Sequence, residues 1–118
     1  MYLKSYKELT VWQKSIGLVK ELYGLTSKFP RSETYGLSIQ VRRAAVSIPS
    51  NIAEGYLRKN LKEFLQFLRI SYGSSAELET QLIIAKDLYP NLNHQKANSL
   101  LEEIQKMLNA MIRKLEQK

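Results

Sequence analysis

The side chains that could carry chemistry in this chain of 118 residues are carboxylates, serines and one histidine. His94 lies far along the sequence from every serine cluster, at the predicted start of a helix, where we expect an exposed residue. Glu54, Glu77 and Glu79 could hold a metal inside a helical bundle, but the Glu-x-x-His pairs of di-iron bundles are absent. No Gly-rich phosphate loop occurs, and a chain without cysteine forms neither a disulfide nor a thiolate metal site. We therefore predict a protein that is not an enzyme and binds no cofactor or metal. The serines considered are Ser47, Ser50, Ser71, Ser74 and Ser75.

Basic residues give the stronger signal. The chain carries 18 basic and 11 acidic residues, a net charge of +7 that favours RNA, DNA or an acidic protein as partner. The alternative is that the charge serves solubility alone. The first candidates for phosphate contact flank the connection between the second and third predicted helices, and the others lie on those helices. In that order they are Arg58, Lys59, Lys62, Arg69, Arg42 and Arg43. Tyrosines and the tryptophan could stack on bases, but most fall at core spacing and are assigned to the core.

Apolar periodicity and capping signals predict four helices over about residues 8–28, 32–55, 61–89 and 93–116. A capping box at Ser5 or at Thr10 begins the first helix, whose buried face is predicted at Trp12, Ile16, Val19 and Tyr23. Ser32 is the predicted cap of the second helix.

Core spacing is clearest in the other three helices. Pro49 is expected to kink the second helix, which ends at Gly55, and Asn60 and Asn93 are the predicted caps of the third and fourth helices. The predicted core positions are Leu37, Val41, Ala44 or Ala45, Ile48 and Ile52; Phe64, Leu68, Ser71, Ser75, Leu78, Leu82, Ala85 and Tyr89; and Ala97, Leu101, Ile104, Leu108, Met111 and Leu115.

Short connections force neighbouring helices to run antiparallel. We therefore predict an all-α protein, a single domain over residues 1–118 with the architecture of an antiparallel up-down-up-down four-helix bundle. The segment MYLKSYKEL lacks the apolar region of a secretory signal, and no run of about 18 apolar residues could span a membrane. We expect a cytoplasmic protein that does not bind membranes.

Counting outward from the connection near Leu57 places Gly73 opposite Ala44 and Ala45. This predicts a close approach of the second and third helices at Gly73. The same count brings Glu77 within reach of Arg42, as a salt bridge that competes with a nucleic-acid role.

The segment from Ser47 to Gly55 combines polar residues with a helix-interior proline. We interpret it as structural: Asn51 and Ser47 can satisfy backbone groups that Pro49 frees, and Glu54 can pair with Arg58 four residues later.

A second apolar face is predicted on the third helix. Ile70, Ile84 and Leu88 lie about 110–150° from the centre of its core stripe on a helical wheel. A two-sided helix in a small domain indicates a second contact, which we interpret as a subunit interface. The alternative is scattered surface apolar residues.

Several stretches, in order, resemble a small bacterial four-helix bundle family first described from open reading frames in intervening sequences of 23S rRNA genes. They are LTVWQK (9–14), FP (29–30), ETYGL (33–37), QVRRA (40–44), SIPSNIAEG (47–55), EFLQFL (63–68), GS (73–74) and ELET (77–80). The resemblance implies a four-helix bundle that assembles into a ring, most often a homopentamer, without established catalytic activity. It also implies kinship to the accessory variability protein of diversity-generating retroelements, a basic pentamer that binds nucleic acid and works with a reverse transcriptase.

Together these observations predict a non-catalytic homo-oligomer that binds RNA or DNA through a basic surface. The alternative is a protein-interaction scaffold, or an adaptor for a polymerase or a ribosome-associated partner. A third interpretation is a bundle that binds a small molecule or a metal.

Overall fold

The protein folds into four long helices whose connections are short. In the computed structural model, which describes residues 4–118, α1 spans Thr10–Thr26, α2 Leu37–Leu57, α3 Leu61–Leu88 and α4 Gln95–Glu116. Short 3₁₀ helices at Tyr6–Glu8 and Arg31–Glu33 precede α1 and α2, and residues 4–118 contain no strand.

The helices pack in sequence order. α2 contacts α1 and α3, α3 contacts α4, and α4 returns to α1. Because each connection is short, consecutive helices run antiparallel, and the result is an elongated bundle of 45 × 20 × 19 Å. The predicted all-α, up-down-up-down four-helix bundle is confirmed.

The predicted core stripes of α2, α3 and α4 are confirmed at most positions, but that of α1 is wrong. The buried stripe of α1 begins at Val11, one residue before the predicted stripe. Of the predicted residues, Trp12, Ile16 and Val19 are half-buried, and Tyr23 is 44% exposed. Both stripes are apolar, so periodicity alone could not show which one faces the gap between α2 and α4. The buried residues of α1 are Val11, Ser15, Leu18, Leu22, Leu25 and Thr26.

Asn60 caps α3 as predicted, whereas the N-cap residue of α4 is His94, one residue after the predicted Asn93. Asn60 Oδ1 accepts the backbone N–H of Glu63 at 3.0 Å, and Asn93 Oδ1 accepts that of Gln95 at 3.0 Å. Such a cap satisfies one of the backbone donors that a helix start leaves without a partner.

The predicted starts of α1 and α2 are wrong. Neither capping box begins α1; Ser5 instead caps the preceding 3₁₀ helix, where its Oγ accepts the N–H of Lys7 at 3.1 Å. Ser32 lies inside the second 3₁₀ helix, and α2 begins five residues later than predicted. There the carboxylate of Glu33 accepts the N–H of Leu37 at 3.2 Å.

Gly55 lies in tight contact with two phenylalanine side chains of α3. α2 does not end there but continues through Pro49 to Leu57, so the predicted stop is wrong. A Cβ on Gly55 would lie 2.5 Å from Cβ of Phe67 and 3.2 Å from Cδ1 of Phe64. Only a residue without a side chain fits against these two rings.

Gly73 does not have the packing role predicted for it. It is exposed, and a Cβ added to it would meet no atom within 4 Å. Because α2 runs past Gly55, the helices pair with a shifted register: Ser47 meets Ser74 with 2.8 Å between the hydroxyls, and Ser71 Oγ donates to the carbonyl of Ile48 at 2.9 Å.

The two glycines make a matched test of this register. Gly55→Ala should lower the free energy of unfolding, because overpacking costs about 1–3 kcal/mol and the better helix propensity of alanine returns at most about 1 kcal/mol. Gly73→Ala should raise it by roughly 0.5–1 kcal/mol, since the site is open. Urea denaturation followed by circular dichroism measures both. Equal stabilisation by the two substitutions would contradict the close contact at Gly55.

Candidate nucleic-acid interface

The six basic residues predicted to contact phosphate do not form one stripe. Arg58, Lys59 and Lys62 lie around the connection between α2 and α3. Arg42 and Arg43 lie roughly 23 Å away along α2, at 1.5 Å per helical residue. The bundle therefore presents two separate basic regions.

Two of the predicted arginines are paired with carboxylates. The guanidinium of Arg58 lies 3.6 Å from Glu54 and 3.7 Å from Glu63, and that of Arg69 lies 2.6 Å from Glu116. The predicted Glu54–Arg58 contact is confirmed. These side chains are about half exposed, so each pair adds little to stability, yet it offsets the positive charge that a phosphate would meet.

No neighbouring carboxylate in the described part of the chain offsets the positive charges of Lys59 and Lys62. Both are exposed, and neither ammonium forms an ion pair with any residue in the range 4–118. Lys59 has a φ of 53°, in the left-handed region just after α2. That conformation costs a residue with a Cβ about 1–2 kcal/mol, and glycine is the usual residue at such a helix end. A lysine therefore stands where glycine would fold with less strain.

Arg42 faces α1, so its predicted salt bridge with Glu77 is wrong. Its Nε donates to Oγ1 of Thr26 at 2.8 Å, and one terminal nitrogen donates to the carbonyl of Tyr23 at 3.4 Å. The guanidinium carbon lies 4.4 Å from the centroid of the Tyr23 ring, within cation–π range. Arg43, one residue later on the helix, is exposed.

Asn51 and Ser47 form hydrogen bonds beside Pro49, but they do not satisfy the backbone carbonyl that the proline frees, so that part of the prediction is wrong. Asn51 Nδ2 donates to the carbonyl of Ser47 at 2.8 Å and contacts its hydroxyl at 3.0 Å. The Ser47 hydroxyl in turn bonds to that of Ser74 across the α2–α3 seam. The amide thus reaches the carbonyl of Ser47, and not that of Ala45, whose usual donor Pro49 lacks.

His94 is buried, with 4% of its surface exposed, so the prediction of an exposed residue is wrong. Its Nε2 lies 2.8 Å from the carbonyl of Tyr89. A carbonyl only accepts, so Nε2 carries the proton, and Nδ1 is left buried without a partner among the described residues. The ring thereby holds the connection between α3 and α4. Within residues 4–118, no three acidic, histidine or cysteine side chains gather as a metal site, and no helix is long and apolar enough to cross a membrane.

Three tyrosines assigned to the core lie at the surface. Tyr23 is 44% exposed, Tyr35 91% and Tyr72 39%. Tyr35 was missed because it fell inside the predicted second helix, whereas it lies between the 3₁₀ helix and α2. The Gly36 that follows it, a poor helix-interior residue, was the available signal.

Ile70, Ile84 and Leu88 are exposed on the outside of α3, by 44%, 44% and 56%. Of the ten large apolar or aromatic side chains that the described range exposes, six belong to this one helix. They are Leu61, Ile70, Tyr72, Ile83, Ile84 and Leu88.

Glu33 and Tyr89 form the one interaction that clearly shifts pKa values in the part of the chain described here. The Tyr89 hydroxyl donates to the Glu33 carboxylate, which also accepts the Leu37 N–H. The hydrogen bond from Tyr89, helped by that of Leu37, lowers the pKa of Glu33 below its ordinary 4.5. The same carboxylate raises the pKa of Tyr89 above 10.0, and partial burial adds to the shift.

The fold and surface thus define a small antiparallel four-helix bundle with basic regions at two places and an apolar outer face on α3.

The chain belongs to the 23S rRNA-intervening sequence protein family, whose sequence profile matches residues 7–110. The same fold is found in a protein of unknown function from the S23 ribosomal protein family of Bacteroides thetaiotaomicron. That structure is 22% identical, covers 87% of this chain and 98% of its own, and superposes with a TM-score of 0.76. No curated protein matches the sequence. Neither the family nor this structural relative is described by a catalytic activity.

The Glu33–Tyr89 bond predicts a pH dependence of stability. Because the pKa of Glu33 is lowered on folding, its contribution is present above the unfolded pKa and is lost as the pH falls through the lower folded value. Tyr89→Phe should therefore lower the melting temperature at neutral pH, and the difference from wild type should shrink as the solution is acidified below about pH 4.5. For Tyr89 the signs are reversed: its contribution is lost as the pH rises through its raised pKa.

Thermal melts over a pH series check this expectation. Tyr35→Phe is the matched control, since this tyrosine is 91% exposed and should melt like wild type at every pH. A Tyr89→Phe variant whose deficit stayed constant through the acid range would show that the hydrogen bond is not linked to the charge of Glu33.

Proposed function

We propose that this protein is a non-catalytic homo-oligomeric bundle that binds the phosphates of RNA or DNA through the basic connection between α2 and α3. The observation that carries this proposal concerns Lys59 and Lys62, which are exposed and form no ion pair with a described residue. Lys59 also has a backbone conformation that favours glycine. Strain of this kind is retained at functional positions when the side chain is needed there.

Electrostatics supports the same surface. Lysine is a compact, mobile charge that contacts phosphate without fixed geometry, as binding without sequence preference requires. Arg58 directly follows α2 and precedes Lys59, but its guanidinium forms ion pairs with Glu54 and Glu63. We therefore assign the main phosphate contacts to the lysines, and a secondary role to Arg58.

Assembly would multiply this charge. Five copies of a chain with a net charge of +7 carry +35, and the family resemblance implies kinship to the retroelement accessory protein, which is a basic pentamer. Three of the apolar residues exposed on α3 support self-association, because at about 100° per residue they fall on one stripe of the helix, away from the core. Ile70, Ile84 and Leu88 are the proposed contacts.

The second candidate function is a protein-interaction scaffold or adaptor for a polymerase or ribosome-associated partner. The same exposed face of α3 favours it, since an apolar helix face can receive another protein as well as a second copy. A partner that remains bound after nuclease treatment would distinguish this function from nucleic-acid binding.

Phosphate contact predicts binding that weakens steeply with salt. Fluorescence anisotropy with a structured RNA hairpin should show a linear fall of log K with log salt concentration. Lys59→Gly and Lys62→Gln should each weaken binding and reduce the slope by about 1. Lys59→Gly should also raise the free energy of unfolding by about 1 kcal/mol, because it relieves the left-handed strain.

The opposite signs of the two Lys59→Gly effects exclude misfolding as the cause of weaker binding. Lys20→Gln on α1, another exposed lysine, is the charge-matched control and should bind more tightly than either variant at the connection. Affinity that ignores salt, or that falls equally in all three variants, would refute a phosphate site at this connection.

The interface proposal predicts a change of mass. Ile70→Lys or Leu88→Lys should lower the oligomeric state measured by light scattering at micromolar concentration, because a charge would be buried without a partner. Leu57→Lys, at a residue that is 61% exposed but lies at the end of α2, should leave the mass unchanged. A wild-type protein that is monomeric under these conditions would overturn the assembly.

A further inference from the structure

Arg42 differs from the five other arginines of the chain. It is the only one that is half-buried rather than exposed. Arg58 and Arg69 have carboxylate partners, but no carboxylate of the described residues lies within ion-pair distance of Arg42. Its contacts, with Thr26 and Tyr23, are to neutral groups.

Because Arg42 is partly shielded from water, an anion at its free N–H groups would be attracted more strongly than at a fully exposed arginine. A guanidinium has five N–H donors, and the bonds from Arg42 to Thr26 and Tyr23 occupy two of them. Three N–H donors of the Arg42 guanidinium therefore remain free of hydrogen bonds to the described residues. The guanidinium itself is held in place by the Thr26 hydroxyl and by the Tyr23 ring, whose centroid lies 4.4 Å from its central carbon. Paired donors in a fixed plane match the oxygens of a phosphate.

The space beside Arg42 is a surface trough between the ends of α1 and α2. One depression of about 350 Å³ is lined by Arg31, Thr34 and Tyr35, and an adjoining one of about 520 Å³ by Tyr23, Arg43 and Val46. Both are lined by Ile39 and Arg42, so they lie side by side with Arg42 at their common border. We call this surface, defined by Tyr23, Arg31, Tyr35, Ile39, Arg42 and Arg43, the α1–α2 trough.

The trough is positive throughout. No carboxylate is among its lining residues. Glu33, the acidic residue nearest to Arg31 in sequence, directs its carboxylate to the Tyr89 hydroxyl and the Leu37 N–H instead. Arg31 and Arg43 are exposed and form no ion pair with a described residue, so they stand on either side of Arg42 as available charges.

Tyr35 adds an aromatic face to this positive surface. It is 91% exposed, more than any other large apolar or aromatic side chain described, although burial of an aromatic ring would be favourable. Aromatic rings at the edge of a positive groove are the platforms on which proteins stack the bases of single strands. The base faces of a duplex are covered by stacking, so a base that stacks on Tyr35 must be unpaired.

We propose that the α1–α2 trough binds an unpaired nucleotide of single-stranded DNA or RNA. Its phosphate contacts Arg42, with Arg31 and Arg43 on the flanking phosphates, and its base stacks on Tyr35. This inference rests on the proposed function and adds a second site to it, since the trough lies roughly 23 Å along α2 from the connection that holds Lys59.

The test measures anisotropy of a labelled oligo(dT) of about 15 nucleotides, within the site sizes of single-strand grooves, with a blunt duplex of equal length as comparison. Tyr35→Ala should weaken oligo(dT) binding about 5- to 100-fold and leave duplex binding unchanged, whereas Tyr35→Phe should bind oligo(dT) like wild type. Arg42→Gln should weaken it at least as much, and Arg31→Gln should reduce the salt slope by about 1.

Arg31→Gln and Tyr35→Ala change exposed side chains without a hydrogen bond to the described residues, so both keep the proposal testable if Arg42→Gln fails to fold. Lys59→Gly separates the two sites. If it abolishes binding while the trough variants bind like wild type, the trough is refuted and the proposed function stands. If the trough variants lose oligo(dT) binding and Lys59→Gly does not, the trough is supported and the connection is refuted as the phosphate site.

Three other results would overturn the trough. Equal loss of duplex and oligo(dT) binding in Tyr35→Ala would exclude stacking on an unpaired base. If thymidine monophosphate displaced oligo(dT) at a concentration no higher than that of unlabelled oligo(dT), the trough would be a site for free nucleotides and not for a strand. A lower oligomeric state of Arg42→Gln in light scattering would show that a carboxylate of a second copy is the missing counter-ion.

Discussion

The contact of Gly55 with Phe64 and Phe67 is the constraint on which the arrangement of this bundle depends. The side chains of Phe64 and Phe67 on α3 lie so close to Gly55 that a Cβ there would meet them at 2.5–3.2 Å. In this register the hydroxyls of Ser47 and Ser74 bond to each other across the seam, and Ser71 Oγ donates to the carbonyl of Ile48. Because a helix is rigid, the register at one end determines which face of α3 points outward along its whole length. The exposed apolar residues of α3 follow from that choice.

Pairing with carboxylates sorts the basic residues into two kinds. Arg58 and Arg69 meet acidic partners on neighbouring turns or helices, and their charge is largely compensated. Lys59 and Arg42 do not, for different reasons: Lys59 extends from a left-handed residue after α2, and Arg42 is held against the Tyr23 ring. Lys59 and Arg42 therefore differ from the other basic residues by the left-handed backbone of the one and the partial burial of the other, and not by the lack of an ion pair alone.

Sequence reasoning succeeded where one pattern had a single solution. The buried stripes of α2 and α3 were predicted correctly, because each helix has a long face on which apolar or small residues recur at every turn, and Asn60 was recognised as a cap from its spacing to Glu63. It failed on α1, where two adjacent stripes are both apolar and only contact with α2 and α4 selects the buried one. It also failed at Gly73. Because α2 continues two residues past Gly55, each residue of α3 lies opposite a later residue of α2 than was predicted.

The sequence by itself determined the four helices, their antiparallel order, the family and the excess of positive charge, because periodicity, caps and composition are local properties of the chain. Only the tertiary structure decided which cations are compensated and which aromatic rings reach the surface. Arg42 illustrates the reason. Its residue type and position are compatible with a bridge to Glu77 on α3 or with stacking on Tyr23 of α1, and a rotation of α2 by part of a turn separates the two. That rotation is set by how α2 packs against α1 and α3 together, which no local pattern contains.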